Sequence, residues 1–224
     1  MTAIEWDKTG DRMYETGLDH GVLYPMTDDG KYGTGVPWNG LTSVSEKPSG
    51  AEASAQYADN IKYLNLVSAE DFSATIEAFT YPPEFAECDG SASPIPGVTI
   101  GQQKRKLFGL SYRTKVGSDT KGQDAGFKLH LIYNCLAAPS EKTYNTVNDS
   151  PEAMSFSWEL STTQEKVSGY NPSATLVIDS TKTDQTKLKA LMDKLYGTAN
   201  GEPTLPSPDE VIAMLGTTSP GTHS

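Results

Sequence analysis

Residues 57–85 read YADNIKYLNLVSAEDFSATIEAFTYPPEF, and the fold follows from how polarity alternates within them. Phe72, Ala74, Ile76 and Ala78 share one face of an extended segment, while Ser73, Thr75 and Glu77 share the other. Period two is the mark of a strand with one buried and one wet face. The strand must stop at Tyr81-Pro82-Pro83, because proline has no N–H for a ladder and restrains the residue before it. Upstream, the polar turn Ala58-Asp59-Asn60 opens an extended run, residues 61–67, that ends at the acidic corner Glu70-Asp71. The stretch therefore predicts an extended arm, a corner and an amphipathic strand.

Working outward, the same alternation recurs downstream. Met154, Phe156, Trp158 and Leu160 alternate with Ser155, Ser157 and Glu159. Residues 107–116 and 127–137 flank a glycine-bearing segment and predict a long hairpin. Its second arm places Phe127, Leu129, Leu131, Tyr133 and Cys135 on one face, with Lys128, His130, Ile132 and Asn134 on the other. Residues 174–179 (ATLVID) close the strand series. Upstream lie short extended candidates at 12–18, 21–26, 40–46 and 51–57, with Lys47-Pro48-Ser49-Gly50 predicting a turn between the last two. Residues 86–106 read as a Gly/Pro/Ser connection around Val98-Thr99-Ile100.

Helices come late. Thr183 or Asp184 can cap a helix over 184–196, with Gly197 ending it. Leu188, Leu191, Met192 and Leu195 form its apolar stripe. Ser207-Pro208-Asp209-Glu210 has the form of a capping box for a short helix, 208–215. The inventory of eight or nine short strands followed by two helices predicts a mainly β fold, a β-sandwich with a flanking α-helix and a short C-terminal helix. Residues 1–196 are expected to form one domain, with an extended arm near 47–67, and 197–224 a linker, the short helix and a mobile tail.

The order YADN, extended segment, charged corner and alternating strand ending near proline resembles the major tail (tail tube) protein of long-tailed siphophages, as a pattern over roughly residues 11–215. The resemblance implies a β-sandwich subunit, six to a ring, with rings stacked into the tube through which phage DNA leaves. It implies partners as well: further copies of the chain, a tape-measure protein, tail terminator and baseplate or hub proteins, and passing duplex DNA held without specific binding. Its place would be the virion tail, assembled in the host cytoplasm.

Composition sets its own limits. The formal charge of −11, from 29 acidic and 18 basic residues, argues against a chain that grips nucleic acid through its phosphates. No apolar run reaches the ~18 residues of a membrane span, and Glu5, Asp7, Lys8, Asp11 and Arg12 leave no room for a signal-peptide core at the start. Cys88 and Cys135 have no metal-ligand spacing and read as two reduced thiols or one disulfide.

Catalytic constellations are missing from the sequence. His20, His130 and His223 are scattered, and neither HExxH, a zinc spacing nor a GxSxG elbow is present. Gly117 and Gly122 have phosphate-loop spacing, but Gln123 stands where lysine is needed. Asp28-Asp29-Gly30 lacks the alternating oxygen ligands of a calcium loop. The reading is a structural protein, not an enzyme, with no cofactor and no metal.

The wet faces of the two alternating strands put forward Ser73, Thr75, Glu77, Ser155, Ser157 and Glu159 as channel-lining candidates. Trp38, Tyr57, Asp59, Asn60, Lys62 and Tyr63, with the basic run Lys104, Arg105 and Lys106, are candidates for subunit contact. The competing reading is a carbohydrate- or receptor-binding β-sandwich of a phage tail, using Trp38, Trp158 or Tyr57 as a stacking platform.

Overall fold

The computed structural model describes residues 4–216 apart from 148 and 150–152. Twelve strands and three helices follow in the order β1 (Met13–Pro25), β2 (Val36–Pro37), β3 (Leu41–Gly50), β4 (Ala53–Ala58), β5 (Ile61–Val67), β6 (Glu70–Ala78), α1 (Phe85–Cys88), β7 (Ala92–Ile95), β8 (Val98–Ile100), β9 (Phe108–Ser118), β10 (Gly122–Ala137), β11 (Phe156–Thr162), β12 (Thr175–Asp179), α2 (Gln185–Tyr196) and α3 (Pro208–Leu215). The fold is mainly β, with the flanking helix and the short C-terminal helix that the sequence predicts.

Eight strands make one antiparallel sheet in the order β2-β1-β9-β10-β11-β6-β3, with β12 also paired to β10. The pairing of β10 explains how one sheet can enclose a core. Its first half pairs with β12 through Lys128–Ile132, and its end pairs with β11 through Cys135–Ala137. Between them, Asn134 has a φ of +49°, and β10 carries one more residue than β9 between successive pairs. Such a bulge bends a strand and raises its twist. The sheet folds over there, so that β11, β6 and β3 lie across from β1 and β9.

The bulge also reverses the alternation. Leu129, Leu131 and Tyr133 share a face, as expected, and that face packs on the helices, but Cys135 and Ala137 join Ile132 in the inner core. The expectation that Cys135 shares a face with Tyr133 is thus corrected, because a strict period of two does not survive an inserted residue. Cys88 and Cys135 are both free thiols within this core. Burial pushes Cys88 up to about 12 and Cys135 higher still.

Two apolar clusters hold the fold. The inner one gathers Ala74, Ile76 and Ala78 of β6, Trp158 and Leu160 of β11, Leu23 of β1, and Phe108, Leu110 and Tyr112 of β9. Phe85 of α1 plugs it, with ring centroids 4.6 Å from Trp38 and 5.1 Å from Trp158. The outer cluster packs Leu188, Leu191 and Leu195 of α2 and Val211 of α3 on Val22, Tyr24, Leu129, Leu131 and Tyr133. Each such side chain contributes about 1.5–3 kcal/mol, enough to fix a 12-residue helix on the sheet.

Helix ends follow local chemistry. The Asp184 carboxylate accepts from the backbone N–H groups of Thr186 and Lys187, both at 3.0 Å, so Asp184 rather than Thr183 is the cap. The capping box of α3 is complete. The segment between the helices is packed rather than loose: Leu205 is buried, the Tyr133 hydroxyl donates to the Pro206 carbonyl at 3.1 Å, and the Thr204 N–H donates to the Lys194 carbonyl. The expected mobile tail, 217–224, lies outside the described residues.

Two further expectations are corrected. Residues 12–18 and 21–26 are not separate pieces: β1 runs through both, with irregularities near Gly17 and His20 absorbing the glycines. Lys47-Pro48-Ser49-Gly50 is not a turn but the end of β3, where Pro48 lies opposite Phe72. Because β3 is the edge of the sheet, proline's missing N–H faces no partner strand. The chain turns away only after Gly50, whose φ of +85° would bring a Cβ to 2.4 Å from the Ala69 carbonyl oxygen.

Candidate assembly surfaces

Three surfaces receive the residues singled out by sequence. The first is the outward side of β3, β6 and β11. Registers place Ser157 and Ser43 beside Glu77, Glu159 and Ser45 beside Thr75, and Ser161 and Lys47 beside Ser73. Five of the six channel candidates, Ser73, Thr75, Glu77, Ser157 and Glu159, therefore meet on one continuous polar face. Ser155 does not join them in the ladder, because β11 begins at Phe156 and Met154 is exposed. The Ser43 hydroxyl donates to Glu77 at 3.1 Å, and Ser73 donates to the Lys47 carbonyl at 2.8 Å. Thr75 is half-buried, and its hydroxyl has no partner among the described residues. The ionic groups in these cross-strand rows are the carboxylates of Glu77 and Glu159 and the ammonium of Lys47.

The second surface is the arm. β4 and β5 pair only with each other, around a turn in which Asp59 and Asn60 have φ of +51° and +63°. Two successive left-handed residues are what a tight two-residue hairpin requires, and Asn and Asp tolerate them. Tyr57, Asp59, Asn60, Lys62 and Tyr63 all sit at its tip and are exposed, with Tyr57 at 72% and Tyr63 at 69%. Ile61, Leu66 and Val67 are also open to solvent. An isolated two-stranded hairpin is marginal in water, and exposed apolar patches of this kind are characteristic of contact surfaces.

The third set disperses. Trp38 is corrected from a contact residue to a core residue: it is 3% exposed, its ring lies against Phe85 and Trp158, and its Nε1–H donates to the Thr80 carbonyl at 3.0 Å. The basic run divides. Arg105 turns inward to the Ala137 carbonyl at 3.0 Å and the Asp89 carboxylate at 3.5 Å, while Lys106 pairs with Glu87 at 2.7 Å and reaches Asp28 at 3.7 Å. Arg105 and Lys106 are thus occupied within the chain; Lys104 stays exposed, with no ion pair among the described residues.

Sequence reasoning missed three features. Asp89, whose side chain is 8% exposed, accepts from Trp158 Nε1 at 3.1 Å and Lys142 Nζ at 2.6 Å besides facing Arg105. Glu46 points inward from β3 to accept from Tyr112 and from His130 at 3.1 Å, and the His130 ring stacks on Tyr112 at 4.7 Å. These bonds tie edge strand β3 to β9 and β10 across the mouth of the folded sheet, and the His130 bond is the main reason the Glu46 carboxyl sits below its ordinary range. Both groups come from residues far apart in the chain, so no local spacing reveals them. The third feature is a second free hairpin, β7–β8, with Ile95, Val98 and Ile100 exposed. Its turn signal, Pro96-Gly97, was readable.

Among the described residues no group of three His, Cys, Asp or Glu side chains is placed to hold a metal ion. Among the described residues no helix is long and apolar enough to cross a membrane.

No family model matches the chain, and no curated protein matches it. Among solved structures it is similar to a chain of an extracellular contractile injection system, the PVC sheath–tube complex in its extended state. The two are 11% identical, the match covers 79% of this chain and 94% of the other, and the TM-score is 0.31.

Proposed function

We propose that this chain is a tail tube subunit of a long-tailed phage, assembling through its arm into stacked rings of six around a channel for DNA. The observation that carries the reading is the β4–β5 hairpin, which pairs with no strand of the eight-stranded sheet and exposes Tyr57, Ile61, Tyr63, Leu66 and Val67 to solvent. Such an element gains stability only when another surface covers it, and a head-to-tail contact of this kind closes into rings or runs on into tubes. The tape-measure, terminator and baseplate proteins are its expected partners in the virion tail.

Conduction in this reading is passive. Duplex DNA carries one charge per about 1.7 Å, and physiological salt screens beyond about 8 Å. The polar face of β3, β6 and β11 offers hydroxyls and an excess of carboxylate over ammonium. Turned toward the channel and repeated around the ring, Glu77 and Glu159 would repel phosphates and let DNA slide. A lysine-lined wall would hold the genome through counterion release.

The competing carbohydrate- or receptor-binding reading is not favoured, because Trp38 and Trp158, two of its three stacking platforms, are core residues. The test is assembly. Purified protein should form rings or tubes in negative-stain micrographs, and deletion of residues 51–67 should leave folded single subunits. Tubes formed without the arm would refute the proposal. In phage particles, Glu77→Lys with Glu159→Lys should slow DNA ejection without blocking assembly; unchanged ejection removes both from the channel wall.

A further inference from the structure

Asn or Asp stands immediately before a glycine at four places: Asp29-Gly30, Asn39-Gly40, Asp89-Gly90 and Asn200-Gly201. In such a pair the side-chain Cγ of the first residue lies within reach of the backbone nitrogen of the second, and the two can close a ring. Glycine favours closure because no Cβ crowds its nitrogen. All four pairs are also turn signals, so spacing does not separate them. Hydrogen bonding does, because the glycine N–H must be free before its nitrogen can attack. Three of the four are engaged. The Gly30 N–H donates to the Thr27 carbonyl at 3.0 Å, the Gly90 N–H to the Glu87 carbonyl at 3.4 Å, and the Gly201 N–H to the Thr198 carbonyl at 3.3 Å. Aspartate is a poor electrophile besides, since an ionised carboxylate carries no leaving group.

Asn39-Gly40 is different. Among the described residues the Gly40 N–H donates no hydrogen bond. Asn39 is exposed, and Gly40 has a φ of +79°. The pair is held between two fixed points at the entry to edge strand β3. On one side the Trp38 N–H donates to the Gly21 carbonyl, and on the other the Gly40 carbonyl accepts from the Phe79 N–H, both at 2.8 Å.

We propose that Asn39 is a site of spontaneous covalent modification, deamidating through a succinimide to aspartate and isoaspartate. The Gly40 nitrogen attacks Cγ of Asn39 and forms the N–Cγ bond. The Cγ–Nδ2 bond breaks, and Nδ2 leaves as ammonia with the proton that Gly40 gives up. Water then opens the ring. Hydrolysis of the N–Cγ bond restores the backbone with aspartate at position 39, whereas hydrolysis at the backbone carbonyl leaves the chain running through Cγ as isoaspartate. Nothing is oxidised or reduced, and water is the one co-reactant. Asn200 is equally exposed but slower, because Gly201 must first surrender its bond to Thr198. One hydrogen bond is worth a factor of about two to ten in rate. The two products differ in consequence. Aspartate adds a charge at an exposed position. Isoaspartate adds a methylene to the backbone between Trp38, buried in the inner core, and Leu41, the first residue of β3. There is little room for it, since even a Cβ on Gly40 would come within 2.9 Å of Thr80 Cγ2. The longer backbone pulls on the Trp38 indole bond to the Thr80 carbonyl and on the start of the β3–β6 pairing.

The test uses full-length protein aged in mildly alkaline buffer. The peptides containing Asn39 and Asn200 are followed by the mass gained when an amide becomes an acid, and isoaspartate is read by labelling with an isoaspartyl methyltransferase. Folded protein converts Asn39 about two- to tenfold faster than Asn200. In urea, where neither glycine N–H is held, the two rates converge. Asn39→Gln abolishes the early isoaspartate signal. The aged protein melts below the Asn39→Asp variant, which carries the charge without the longer backbone. Equal rates in folded protein, a faster Asn200, or two intact amides in folded protein while both are lost in urea would overturn the inference. An aged protein that melts with Asn39→Asp overturns the effect assigned to the longer backbone.

Discussion

Replacing Asp89 with alanine tests whether one buried carboxylate holds the inner core and the β7–β8 root together. Three donors lose their acceptor. Trp158 is fully buried, and an indole N–H left unpaired there costs about 1–3 kcal/mol. Lys142 and Arg105 are about a quarter exposed, at 25% and 23%, so each can turn toward water. The ~3–5 kcal/mol of breaking a fully buried ion pair is therefore not reached. The sum is about 3 kcal/mol, or roughly 6–12 °C in Tm for a chain of this length. Urea unfolding should show the midpoint falling with the slope unchanged. Asp89→Asn, which keeps an acceptor for Trp158, should lose about half as much. Amide exchange should quicken at Gln103 and Lys106, whose N–H groups close the hairpin base. An alanine variant within about 1 kcal/mol of wild type, with unchanged exchange at those amides, would refute the assigned role.

Other outcomes follow from the same packing. Leu191→Ala on the buried face of α2 should cost about 2–5 kcal/mol in urea unfolding, since Leu191 is 0% exposed. Ser207→Ala removes the hydroxyl that accepts from the Glu210 N–H and should cost about 1 kcal/mol, seen as faster exchange in α3. The Glu46 carboxyl titrates below its ordinary 4.5, held down chiefly by the His130 hydrogen bond. A depressed carboxylate contributes stability that is present above 4.5 and is lost as pH falls from there through the lower folded value. Glu46→Gln should flatten that part of the stability–pH curve, and an unchanged acid limb would exclude Glu46 as its source.

Much of the fold was legible because it rests on local periodicity. β6 and β11 alternate cleanly, so their inner and outer faces could be assigned residue by residue. The stripe of α2 and the capping box of α3 are equally local. The errors lie where tertiary context overrides the pattern. One inserted residue at Asn134 moved Cys135 to the other face, and edge position let Pro48 remain inside a strand. Trp38 follows a proline in what reads as a loop, and only the arrival of Phe85 and Trp158 from elsewhere buries it. Of the candidate surfaces, the arm tip and the polar face were readable because each comes from adjacent or alternating residues. The partners of Arg105, Lys106 and Asp89 were not, because they come from separate stretches of chain.

The most direct test of the central claim is a reconstruction, by electron cryomicroscopy, of the particles that purified protein forms. The account predicts stacked rings with a central channel, Glu77 and Glu159 on its wall, and the β4–β5 hairpin covered by a neighbouring copy. Protein that remains single at every concentration, or a tube whose channel is faced by other surfaces while Glu77 and Glu159 point outward, would contradict it.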